Sequence, residues 1–150
     1  MTISAKNTIQ LQRGDLLFKK GEVSTCAYIL KNGRVSCSIL TDDKRIIPVS
    51  LFIDHGLIGE EASFDDGASY IYNAVALEDS TLIKVPKSDV LTYLEEAGTW
   101  MRKILSDISH RIENTLSIMN EHKIIDDRLC GGESLSTEET RLILDALAKS

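Results

Sequence analysis

A mainly β fold, a sandwich or barrel followed by a long helix, is predicted by three features of this sequence. Six apolar runs between Ile9 and Val85 are separated by Gly, Asp and Asn, at the roughly 8–12-residue spacing of short strands and their turns. After Pro86 the texture changes to helical periodicity, and from Thr99 to about Asp127 there is neither Gly nor Pro. The 150 residues, 43% hydrophobic and 27% charged, suffice for one domain with a real core and a short appendage.

In chain order the predicted strands are Leu16–Phe18, Ala27–Leu30, Val35–Leu40, Ile46–Phe52, Tyr70–Leu77 and Thr81–Val85. Val35, Cys37 and Ile39 alternate with Ser36, Ser38 and Leu40, so one face of that strand is expected in the core. Pro48 has no N–H for the ladder, which puts its strand at an edge or starts it there. Lys87 to Glu96 reads as a short helix with Ser88 near its N-cap and Gly98 past its end. The Gly-free stretch from Thr99 would run roughly 43 Å as a helix. Met101, Leu105, Ile108, Ile112, Thr115, Met119 and His122 follow 4-3-4-3-4-3 spacing on it, a heptad seam of the kind that pairs helices. Ile104, Leu116, Ile118, Ile124 and Ile125 widen the stripe, giving the helix two surfaces to cover: its own β domain and a second copy of itself. A homodimer is expected, with Met101, Leu105, Ile108, Ile112, Thr115 and Met119 in its seam. Cys130-Gly131-Gly132 is a break, and Ser136-Thr137-Glu138-Glu139 is a capping box. It opens a short amphipathic helix carrying Leu142, Ile143, Leu144 and Leu147. The expected organisation is a β domain over residues 9–98, a dimerisation helix over 99–129, and a linker with a short C-terminal helix over 130–150.

Seventeen Lys+Arg against 23 Asp+Glu leave a net charge of −6, with no basic surface to displace counterions from nucleic acid. After Leu129 only Arg141 and Lys149 are basic, against Glu133, Glu138, Glu139 and Asp145, so no DNA-reading helix is expected there. No apolar run approaches a membrane span, and Met1 to Lys6 has no apolar signal core. Cys26, Cys37 and Cys130 are too few and too scattered for a disulfide framework or a zinc pair; a cytoplasmic location is expected. No nucleophile elbow, P-loop or kinase set is present, so no catalytic residues are assigned and an enzyme is not expected. His55 lies in a turn and His110 and His122 are too far apart on one helix to share an ion, so no metal ligands are assigned. Glu60, Glu61, Asp65 and Asp66 read as a solvated acidic loop rather than a calcium site or a catalytic pair.

The series Gly14-Asp15-Leu16-Leu17-Phe18-Lys19-Lys20-Gly21-Glu22, then Tyr28 to Val35 with Asn32-Gly33-Arg34, then Ile58-Gly59-Glu60, Ala74-Val75-Ala76 and Ser80 to Pro86, resembles the cyclic nucleotide-binding domain of the catabolite activator and FNR family. The resemblance covers residues 9–129 and implies a β-roll of jelly-roll topology followed by a dimerisation helix, with Asp126 near the hinge. It also implies a ligand pocket at Gly59, Glu60, Glu61, Ala62, Tyr70, Ile71 and Thr115. In that family a Gly-Glu pair, here Gly59 and Glu60, holds the ribose 2′-hydroxyl, and backbone N–H groups, here those of Glu61 and Ala62, face the cyclic phosphate. An Arg and a hydroxyl residue then neutralise the phosphate; counted without a gap, these positions hold Tyr70 and Ile71. Thr115 falls where the dimer helix reaches the base. Some relatives sense gases through haem, but His55, His110 and His122 are read as surface or seam residues; iron–sulfur relatives carry a cysteine cluster near the N-terminus, and this chain has none.

From Gly59 to Asp79 there are six acids and no Lys or Arg, so no cofactor is assigned, and tight binding of the family's cyclic nucleotide is not expected. The function implied is a non-catalytic dimeric sensor or regulatory module without DNA binding, read out through an unknown protein partner. Two alternatives stand beside it: a working cAMP or cGMP receptor whose phosphate meets a displaced cation such as Arg34, Lys44 or Arg45, and a purely structural interaction module.

Overall fold

The computed structural model describes residues 7–122 and 135–150. The predicted end of the long helix with Ile124 and Ile125, the Asp126 hinge and the Cys130-Gly131-Gly132 break lie outside those residues. The strands are β1 (Thr8–Leu11), β2 (Leu16–Phe18), β3 (Cys26–Asn32), β4 (Arg34–Leu40), β5 (Ile46–Ile53), β6 (Gly56–Ile58), β7 (Asn73–Ala76) and β8 (Ser80–Pro86). They form two antiparallel sheets in the orders β1-β8-β3-β6 and β2-β7-β4-β5, a β-roll of jelly-roll type. Three helices follow: α1 (Lys87–Ala97), α2 (Thr99–Glu121) and α3 (Thr137–Ala148).

The inner faces of the two sheets enclose a core of Phe18, Leu30, Val35, Cys37, Ile39, Ile47, Ile58 and Leu82. Gly33 joins β3 to β4 at φ 108°, where an added Cβ would fall 2.6 Å from the Ser80 backbone; only glycine fits that hairpin. Pro48 lies on β5, the edge strand of its sheet, opposite a register shift in β4, as its missing N–H requires.

Three expectations about local structure need correction. The strand predicted over Tyr70–Leu77 is ladder only over Asn73–Ala76, because Tyr70 exchanges backbone hydrogen bonds with Gly21 and Glu22 instead. The first helix starts at Lys87 with Pro86 as its N-cap; Ser88 is already helical and its carbonyl accepts from Thr92. The strand predicted to bury one face buries both, since Ser36 and Ser38 are as inaccessible as Val35 and Cys37.

The physical reason for the last is α3. Ser36 pairs with Val75 on one side and Leu51 on the other, and both pack in a second cluster with Ile143, Ala146 and Leu147. The small serines let α3 approach the outer face of this sheet. Its N-terminus has the predicted capping box, Ser136 accepting from the Glu139 N–H and Glu139 from the Ser136 N–H. Glu139 also pairs with Arg34, and Arg13 reaches Glu138 at 2.9 Å.

Candidate functional site

Between β6 and β7 the chain makes a tight turn. Gly59 takes φ 80° and starts a single 3₁₀ turn over Glu60–Ser63. A Cβ there would sit 3.0 Å from Tyr70 and 3.3 Å from Phe18, so glycine serves both the backbone angle and the packing. The Gly59 N–H donates to the Tyr72 hydroxyl at 3.0 Å, and that hydroxyl donates to Glu61 Oε2 at 2.8 Å. Burial, together with the neighbouring Cys37 and the two glutamates, pushes the Tyr72 phenol far above its ordinary range and keeps it a donor.

The two glutamates diverge. Glu60 lines an apolar cavity of about 360 Å³ between the first sheet and α1, with Ala27, Ile29, Leu57, Val85 and Tyr93. Its Oε2 is buried without a hydrogen-bond partner among the described residues. Burial and then the charge of Glu61 push its carboxyl up to about 7, against the pull of its own backbone N–H. Glu61 instead lines a polar cavity of about 320 Å³ with Asp65, Asp66, Ile71, Ser109, His110 and Glu113. Burial raises this carboxyl too, opposed by Tyr72 and by the Glu61 backbone N–H. The N–H that the resemblance offers to a phosphate thus faces the chain's own carboxylate, and the Ala62 N–H turns back to the Gly59 carbonyl at 3.4 Å.

Tyr70 is buried in the roll, its ring stacked on Phe18 with centroids 3.8 Å apart and its hydroxyl donating to the Cys26 carbonyl at 2.6 Å. It fills interior space, and Ala62 packs in the same core. Ile71 lines the polar cavity beside Glu61. Thr115 is exposed and donates its hydroxyl to the Arg111 carbonyl of its own helix at 2.8 Å; it lines neither cavity. Of the seven pocket residues expected from the sequence, then, Glu61 and Ile71 share one cavity and Glu60 stands in another.

The face of α2 toward the roll was missed in the sequence, although its period is visible there. Arg102, Ser106, Ser109, Glu113 and Leu116 repeat at 4-3-4-3 spacing, one helical position round from the expected seam. Arg102 Nε donates to the Phe64 carbonyl at 3.1 Å, and Ser106 donates to Asp65 Oδ2 at 2.6 Å. His110 Nε2 stands 3.6 Å from the same carboxylate, and Leu116 enters the core. Polar residues on this face masked it as solvent-facing. The expected dimer seam divides: Met119 packs on the core, while Ile108 and Ile112 are exposed with Trp100, Ile104 and Ile118. Of the three cations considered for a displaced role, Arg34 is held by Glu139, and Lys44 and Arg45 are exposed in the turn after β4. Among the described residues no group of three His, Cys, Asp or Glu is arranged to hold a metal ion, and no helix is long and apolar enough to cross a membrane.

Residues 8–97 match the family profile described as cyclic nucleotide-binding domain. The anaerobic regulatory protein of Bacillus subtilis (strain 168) is 24% identical over 122 residues, covering 77% of this chain and 50% of that protein; the chain spans half the length of this relative. Among solved structures, the cAMP-bound form of the EAL enzyme Bd1971 is 28% identical, with a TM-score of 0.66 over 78% of this chain and 31% of that one. The sensor domain of the transcriptional regulator DNR from Pseudomonas aeruginosa is alike in fold, with a TM-score of 0.59, 22% identity and 73% of each chain covered.

Proposed function

Because the chain belongs to the cyclic nucleotide-binding domain family, we propose that it is a non-catalytic, dimeric regulatory module that has lost tight binding of standard cyclic nucleotides and does not read DNA by itself. The observation that carries this is Tyr70. Counted along the resemblance, the phosphate-neutralising cation's position falls on this buried aromatic ring stacked on Phe18, and the adjoining cavity is walled by carboxylates. A phosphate deprived of its charge partner loses roughly 2–5 kcal/mol, and acidic neighbours add repulsion.

Ligand-driven regulation in this reading runs through α2. Arg102, Ser106 and His110 tie it to residues 64–66, so a ligand that shifts this segment biases the helix between two packings. The other face of α2 carries Ile104, Ile108 and Ile112 in water, which supports pairing with a second copy. The apolar side of α3 packs on the sheet and the chain is acidic, which supports a protein partner rather than DNA. The free thiol of Cys26 suits a reducing, cytoplasmic setting.

A competing reading, a working cAMP receptor, is favoured by the likeness to the cAMP-bound form of Bd1971. Calorimetric titration with cAMP, cGMP and cyclic di-GMP separates the two. No saturable heat to millimolar concentration is expected, and a micromolar Kd for any of the three overturns the proposal.

A further inference from the structure

The cavity between residues 65–71 and α2 has the wrong charge for a phosphate and the right one for an amine. Glu61, Asp65, Asp66 and Glu113 line its approximately 320 Å³, with His110 the one basic side chain among the described lining residues. Arg102 stands 3.7 Å from Asp66, itself a lining residue and mostly exposed.

A second observation is independent of that charge. Ser109 lines the same cavity, is only 6% exposed, and its hydroxyl has no hydrogen-bond partner among the described residues. Buried hydroxyls are normally satisfied, and one left over needs an explanation. Ser109 thus brings an unsatisfied hydroxyl to the wall of this cavity.

The lining residues also choose among cations. Calcium requires six to eight oxygen ligands, whereas among the described residues no three carboxylate, thiol or imidazole groups are set around a common ion position. The volume lies at the small end of organic-ligand pockets, and Ile71 supplies an apolar wall. These features suit a short aliphatic chain with an ammonium head.

We propose that this cavity binds a small aliphatic amine, its ammonium group held by the carboxylates of Glu61 and Asp65 and by the Ser109 hydroxyl. The proposal rests on the preceding reading that the domain does not take a cyclic phosphate, and it names the ligand class of that site.

Calorimetry of the full chain with putrescine tests it, with cAMP titrated in parallel. Saturable putrescine binding is expected, weakened about tenfold by Asp65→Asn and at least threefold by Ser109→Ala. Glu113→Gln, at an exposed position that cannot unfold the domain, is expected to weaken it about threefold, and Glu96→Gln on α1 to leave it unchanged. Absence of saturation at 10 mM putrescine overturns the proposal, as does binding that is indifferent to both Ser109→Ala and Glu113→Gln. If neither compound binds, the amine proposal alone falls; if cAMP binds at micromolar concentration, the underlying reading falls with it.

Discussion

Glu60 shows what position does to one carboxyl. It directly follows a left-handed glycine at φ 80°, and the turn delivers its side chain into a wall of Ala27, Ile29, Leu57 and Val85. Burial raises it from 4.5 to about 7. Below pH 4.5 the group is protonated in both folded and unfolded chains, so its contribution to stability is fully present. Between there and pH 7 the unfolded chain releases its proton first, and stability falls as pH rises, by at most about 3 kcal/mol. Glu61 acts in the same direction from a partly compensated position. Glu60→Gln is therefore expected to match the parent at pH 4 and exceed it at pH 8 in urea unfolding midpoint. An equal decline with pH in both proteins contradicts the burial argument. The Gly-Glu pair was legible as a motif; the direction of the Glu60 side chain was not, because it depends on where α1 lies.

At the scale of elements, α3 is the clearest case of a helix that was readable and a docking surface that was not. Its capping box follows from four consecutive residues, and the observed cap has both hydrogen bonds. Its destination depends on contacts between Ile143, Leu147, Val75 and Leu77, which sequence separation hides. Ser36 and Ser38 held the only local hint: small polar residues on a strand are easily read as solvent-facing, yet they equally permit a helix to pack close. Ile143, wholly buried in that cluster, is expected to cost about 2–5 kcal/mol as Ile143→Ala, read from chemical unfolding. Ser136→Ala removes one cap bond and is expected to cost about 1 kcal/mol. A negligible loss for Ile143→Ala would mean that α3 is not held on the sheet in solution. α2 shows the complementary lesson. That a long helix starts at Thr99 was readable from the absence of Gly and Pro, although α2 ends at Glu121 with His122 as its C-cap; its barrel-facing stripe of Arg102, Ser106, Ser109, Glu113 and Leu116 is mostly polar, so a search for apolar periodicity settled one position away.

For the whole molecule, the exposed stripe on α2 is the feature a single chain leaves unexplained. Ile104, Ile108, Ile112 and Ile118 are each more than a third accessible, a costly arrangement for branched apolar side chains in water. The proposed homodimer covers it. Ile108→Lys combined with Ile112→Lys is expected to convert a dimer to a monomer in sedimentation velocity without changing the fold of the roll. A parent protein that sediments as a monomer at high micromolar concentration counts against the pairing. The sequence alone determined the β-roll, the long helix and the α3 cap, because these depend on local propensity, turn residues and fixed spacing along the chain. Only the tertiary structure decided that Glu60 and Glu61 part into different cavities, that Ser109 and His110 line the polar one, and that α3 packs on Val75 and Leu51, which flank Ser36. Those outcomes rest on which faces meet in space, and burial and charge act through distances that a linear order of residues does not contain.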